Sequence, residues 1–148
     1  MEELKSTGKY AISDDMKARL SDFASGFATE DATDSTIKYV YDRTGYVMDT
    51  HTAVAAHVCE EYKKSTGDSR KCVVASTASP YKFVKSVMKA INAENAKEDE
   101  FTLLPKLNEA SGVEMPQAIK DILEANVLHH IECDRDQMEC TVKEILKL

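Results

Sequence analysis

The chain has 148 residues and a net charge of −7, with 43% hydrophobic and 30% charged residues. That is enough apolar material for one compact domain, yet short for an enzyme that encloses a large organic cofactor. The acidic residues are spread along the sequence and no basic stripe is visible, so nucleic acid is a poor partner. The longest apolar runs, residues 52–59 and 71–75, are too short to cross a bilayer, and MEELKSTGK lacks the apolar core of a signal peptide, so a cytoplasmic protein with no membrane association is expected.

In chain order, Ser13 followed by Asp14 and Asp15 marks a helix start, and Met16, Leu20, Phe23 and Phe27 recur at helical spacing after it. Thr29 can cap a second helix with Ile37, Val40 and Tyr41 on its apolar side and Gly45 as its left-handed stop. Asp49 is a good N-cap for a third, in which Val54, Val58 and Tyr62 share a face until Gly67. Thr52, Ala53, Ala55 and Ala56 make that helix thin, so a neighbour can pack closely on it.

Residues 71–76, KCVVAS, form a short β-branched run between charged flanks and read as a buried strand. Ser79 and Pro80 then open a helix with Phe83, Val84, Val87, Met88 and Ile91 on its buried side, leaving Lys82 and Lys85 to solvent. Residues 92–100 read as a polar, solvated connection or a frayed helix end, and residues 101–110 as a short helix in which Pro105 marks a kink or boundary. Pro116 opens a helix with Ile119, Ile122 and Leu123, residues 128–133 read as a second strand, and Asp134 caps a terminal helix carrying Met138, Val142, Ile145 and Leu146. The sum, taken as one segment over residues 1–148, is a helix-rich α/β pattern with a partial open sheet, either a small sheet of its own or an edge that another segment completes.

The four cysteines, Cys59, Cys72, Cys133 and Cys140, stand at irregular spacings and read as reduced, small apolar core residues. Cys133 and Cys140 lie near His129 and His130, but no CxxC pair or finger-like spacing supports a metal site. The five glycines are dispersed, so no Gly-rich loop cradles a phosphate, and no G-x-S-x-G elbow is present.

Chemistry is best placed at the junction of residues 72–80, CVVASTASP. Ligands of open α/β sheets bind outside the carboxyl ends of strands, which is where Ser76 and Thr77 would fall. The alternative, better supported by spacing alone, is that Ser76, Thr77 and Ser79 satisfy backbone groups in the turn. Asp49 and His51 could form an acid/base pair, but so close together at a helix start they do not face each other, and capping is the better reading of Asp49. His51 and His57 read more simply as partly buried structural histidines.

Residues 45–55, GYVMDTHTAVA, followed by residues 73–83, VVASTASPYKF, resemble in order, spacing and framing the paired motifs near the C-terminus of threonine synthases. STIKYVYDRTG at 35–45, LNEASGVEMPQAIKDIL at 107–123 and HHIECDRDQMECTVKEIL at 129–146 are similar to neighbouring parts of that family, so the resemblance runs from about Tyr10 onward. The first motif commonly has proline where this chain has Thr50, and the second has histidine where it has Ser79, so no role of that histidine carries over.

The resemblance implies the C-terminal part of a fold-type-II pyridoxal 5′-phosphate (PLP) enzyme that converts O-phospho-L-homoserine and water into L-threonine and phosphate. It implies that Thr77, with Ser76 beside it, meets the pyridine nitrogen of PLP through a strand-end hydroxyl. The Schiff-base lysine, the phosphate-binding loop and most substrate contacts would lie in the remainder of the threonine synthase chain, so these 148 residues alone are expected to be inactive. A free-standing α/β binding or interaction module of shared ancestry, without catalysis, is the competing expectation.

Overall fold

The computed structural model describes residues 2–128 and 130–148, and His129 of the expected second strand lies outside them. The chain forms two compact units, Met1–Met115 and Pro116–Leu148.

In the first unit, α1 (Glu2–Thr7) and α2 (Asp14–Ala18) precede the long helices α3 (Glu30–Thr44) and α4 (Thr50–Thr66). A 3-10 turn at Pro80–Phe83 leads into α5 (Val84–Ile91), and a second at Ala93–Lys97 leads towards α6 (Glu100–Ser111). The expected caps form: Ser13, Thr29 and Asp49 each accept a backbone N–H at the start of their helix, and Gly45 and Gly67 close α3 and α4 at φ 72 and 73. A left-handed residue without a Cβ costs nothing there.

Helix α5 is the hub, packed against α3 and α6, while α3 also packs against α4. Ile37, Val87, Leu103 and Leu107 have no exposed surface, each contributing roughly 2 kcal/mol by burial. Asn95, expected on a solvated connection, is buried and donates from Nδ2 to the Met88 carbonyl at 2.9 Å, closing the end of α5. Lys89 meets Asp34 at 2.9 Å across α5 and α3. Helix α6 continues through Pro105, which lies on its exposed side. There the carbonyl that loses its helical donor can turn to water.

The sheet is a correction. Among the described residues there is no strand, so the fold is helix-rich without the expected partial open sheet. Residues 71–76 are exposed rather than buried, with Val73 97% accessible, and none of their backbone groups has a hydrogen-bond partner among the described residues. A β-branched pattern states what a segment can pair with; without a second strand there is no ladder. The expected helix after Ser13 also ends early, at Ala18, leaving Leu20, Phe23 and Phe27 exposed. Further along, an added Cβ at Gly26 would lie 2.8 Å from Cγ1 of Val58 on α4, so the backbone there runs directly over that helix.

The second unit holds α7 (Gln117–Glu124), a 3-10 turn at Arg135–Gln137 and α8 (Met138–Leu146). None of its described residues is buried, and Leu128, Ile131, Met138, Val142, Ile145 and Leu146 are all more than half exposed. The described part of the expected strand at 128–133 is irregular and exposed. The cysteines differ from expectation as well: Cys72, Cys133 and Cys140 are exposed and Cys59 is half-buried, all free. No group of three metal-ligating side chains occurs among the described residues, and no described helix is long and apolar enough to cross a membrane.

Candidate functional site

The motifs at 45–55 and 73–83 meet at the N-terminus of α4. Val47 and Met48, each 5% exposed, anchor the approach, and Asp49, 1% exposed, caps the helix. Its Oδ1 accepts the backbone N–H of His51 at 2.9 Å and of Thr52 at 3.2 Å. Its Oδ2 accepts a hydrogen bond from the Thr52 hydroxyl. Ser76, from the other motif, places Oγ 3.1 Å from Thr52 Oγ1 and 3.4 Å from Asp49 Oδ2. A cap is local, whereas this contact pins the end of the 71–76 segment to a helix start far away in sequence.

The carboxyl of Asp49 responds to two opposed influences. Burial pushes its pKa up, but the hydrogen bonds from the Thr52 hydroxyl and from the Thr52 and His51 backbone, with His51 nearby, more than offset this and hold it below its ordinary 3.8. Asp49 is therefore an acceptor at neutral pH. His51 is exposed, with Nδ1 3.7 Å from Asp49 Oδ1, beyond hydrogen-bonding length, and its ring lies 4.9 Å from that of Phe83. The expectation that Asp49 serves as a cap rather than as half of an acid/base pair agrees with this geometry.

Ser76 and Thr77 stand side by side on exposed backbone but in different states. Ser76 is drawn into the Asp49 and Thr52 network, with a longer approach of 3.5 Å to the Ala78 carbonyl. The Thr77 side chain has no hydrogen-bond partner in the described structure. Ser79 accepts the Tyr81 N–H at 3.3 Å and caps the 3-10 turn. Of the three hydroxyls suspected of turn duty, only Ser79 serves that purpose plainly.

Two residues escaped the sequence reading. In sequence Thr52 marks only a thin helix, although its position three residues after an N-cap places its hydroxyl beside the cap carboxylate. Tyr81, 4% exposed, donates from its hydroxyl to the Val113 carbonyl at 2.8 Å and lies 3.1 Å from the Asn108 side-chain amide, fastening the second motif to the end of α6. No local signal marks that contact.

Several open hollows mark the first unit, one of them beside the N-terminus of α4. One of about 540 Å³ is lined by Tyr39, Val40, Ala56, His57 and Glu60 of α3 and α4, and one of about 330 Å³ by Glu30, Thr33, Thr50, His51 and Ser86. Neither includes Ser76 or Thr77, both of which are exposed.

With this geometry in hand, residues 52–131 match the family described as "Threonine synthase, C-terminal". The chain is also 30% identical over 98 residues to threonine synthase-like 1 of Macaca fascicularis, a stretch that covers 60% of this chain and 13% of that protein. It therefore spans a small part of the length of that curated relative.

Proposed function

The chain belongs to the threonine synthase C-terminal family, and from that premise we propose that it forms one wall of the PLP site in an enzyme that makes L-threonine and phosphate from O-phospho-L-homoserine and water. The observation that carries the proposal is the unpartnered Thr77 hydroxyl, next to the exposed segment 71–76, whose backbone has no hydrogen-bond partner among the described residues. A ring nitrogen in a dry site needs a hydrogen-bond partner, and a hydroxyl with a free proton supplies one. The residues present fit that edge of the cofactor.

When bound, PLP supplies an electron sink at the substrate's α-carbon, which lets phosphate leave from the γ-carbon and water add at the β-carbon. This chain's share is to bind and orient. Thr77 meets the ring nitrogen, and as a neutral group it does not force that nitrogen to stay protonated. Ser76 anchors Thr77 to α4, and the exposed β-branched face of 72–75 is covered by the rest of the enzyme. The reactive lysine and the phosphate cradle come from the remainder of the polypeptide in this reading, because the exposed Lys82 and Lys85 stand on a solvated helix side and no Gly-rich loop is present.

The test compares the 148-residue chain with the same chain joined to the lysine-bearing region of a threonine synthase. The expected result is that the joined polypeptide holds PLP fixed to protein by borohydride and consumes O-phosphohomoserine, while the chain alone does neither. A joined polypeptide that takes up no PLP would refute the reading. So would a dialysis-resistant, borohydride-trapped absorbance band in the chain alone, since it would place the reactive lysine here.

A further inference from the structure

We propose that Asp49 is a positioning residue for the hydroxyl-bearing end of the 71–76 segment, holding it in place through Thr52 and Ser76. The proposal deepens the PLP-site reading and rests on it for its purpose, but its geometry stands independently. Asp49 is buried, and an ionised carboxylate can only accept hydrogen bonds. The Thr52 hydroxyl has one proton, and its shortest contact is to Asp49 Oδ2. With that proton committed, the 3.1 Å contact between Thr52 and Ser76 is made by the Ser76 proton, whose longer alternatives are Asp49 Oδ2 at 3.4 Å and the Ala78 carbonyl at 3.5 Å. Both hydroxyl protons thus point inward.

Two consequences follow for the surface at residues 76–77. Ser76 presents outward only lone pairs, so it can accept from a ligand N–H but has no proton to give. Thr77, outside the network, keeps its proton and is the donor of the pair. Asp49 touches no ligand in this arrangement. It sets which neighbouring oxygen accepts and which donates, and it fixes where they stand. An N-cap needs one carboxylate oxygen for the helix N–H groups; here the second oxygen is directed at the other motif.

The tether predicts a dynamic signature that capping alone does not. Backbone order parameters would be measured by ¹⁵N relaxation on the 148-residue chain and on three variants. Asp49→Ser keeps a good cap but has no second atom to reach Thr52 and Ser76; Ser76→Ala leaves the cap untouched; Asp49→Asn keeps the cap through its amide oxygen and reaches the two hydroxyls with its N–H groups, from which they accept. Residues 75–78 are expected near about 0.85 in the parent and in Asp49→Asn, and below about 0.6 in Asp49→Ser and Ser76→Ala. Residues 51–55 are expected to stay rigid in all four. If 75–78 remain as ordered in Ser76→Ala as in the parent, the tether does not exist and the proposal is overturned, whatever Asp49→Ser does to α4. PLP titration of Ser76→Ala in the joined polypeptide separates this from the functional reading. If 75–78 loosen but PLP affinity is unchanged, positioning stands and the cofactor wall falls; if they do not loosen, positioning fails regardless of PLP.

Discussion

Thr77 and Ser79 lie close together and carry the same functional group, yet the structure gives them different work. Ser79 accepts the Tyr81 N–H and caps the turn into α5, whereas the Thr77 hydroxyl is unclaimed. Thr77→Val, which keeps the volume and removes the hydroxyl, should therefore leave stability nearly unchanged. In a joined, PLP-binding polypeptide it should lose roughly 1 to 3 kcal/mol of cofactor binding, or about one to two powers of ten in affinity. Ser79→Ala should do the reverse, costing about 1 kcal/mol of stability with affinity intact. Dissociation constants and melting curves for the pair decide it; Thr77→Val that melts early but binds PLP normally would make Thr77 a turn-former. Gly26 is a residue-scale case of another kind. Its backbone needs no left-handed angle, but a Cβ would lie 2.8 and 3.2 Å from the two methyls of Val58, a side chain that is stiff on a helix. Gly26→Ala should destabilise by about 1 to 3 kcal/mol through overpacking. Adding Val58→Ala should remove that cost, leaving the double variant no less stable than Val58→Ala alone; simple additivity in denaturant titrations would refute the contact.

The elements show how much a sequence can disclose. The starts of α2, α3 and α4, the Ser79 cap and the glycine stops at 45 and 67 were all legible, because each depends on residues within a few positions of the boundary. The absence of a strand at 71–76 and the early end of α2 at Ala18 were not, because strand pairing depends on a partner far away in sequence and a helix's length depends on what packs against it. The candidate site divided the same way. Ser76 and Thr77 were located by their position after a β-branched run, while the link from Ser76 to Asp49 was invisible until α4 was folded beside it. These caps and loops also set the acid response. Asp49 and Asp68 share an ordinary pKa of 3.8, and both titrate lower when folded, Asp68 down to about 2 through the Arg70 side chain and N–H, and Glu61 is lowered by Lys64. A depressed folded pKa means that the unfolded chain binds protons first, so the stability is present above the unfolded value and is lost as pH falls through the folded one. Melting temperature should therefore hold at pH 5 and above and fall between about pH 4 and pH 2. Asp68→Asn should shallow that fall without abolishing it, since Asp49 remains; an unchanged acid slope would show that the Asp68 and Arg70 contact is not populated in solution.

At the scale of the whole molecule, apolar sequence and actual burial part company between the two units. The first unit gathers Ile37, Val87, Leu103 and Leu107 into a closed interior, while no described residue of Pro116–Leu148 is buried. Helical periodicity predicted both equally well, because a pattern shows which face of a helix is apolar and not whether anything covers it. The 8 residues of α7 and 9 of α8 fall below the roughly 12 to 15 at which an isolated helix is even marginal in water. Local capping adds little: Gln137 at the start of α8 makes no side-chain cap, Asp134 N–H reaches Gln137 Oε1 at 3.4 Å only within the preceding 3-10 turn, and Lys143 pairs with Glu139 at 2.6 Å on an exposed surface. In the chain alone, amides of α7 and α8 should exchange hydrogen at close to unprotected rates, while those of α5 and α6 are slowed on the order of a thousandfold or more by the core. Joining the chain to the rest of a threonine synthase should then protect α8 if its apolar face, Val142, Ile145 and Leu146, is a surface that the remainder of the enzyme covers. Hydrogen exchange read by mass spectrometry on both forms gives the answer: protection of residues 138–146 in the chain alone equal to that of 84–91 would mean that the second unit is stable by itself, and the case for a missing cover would collapse.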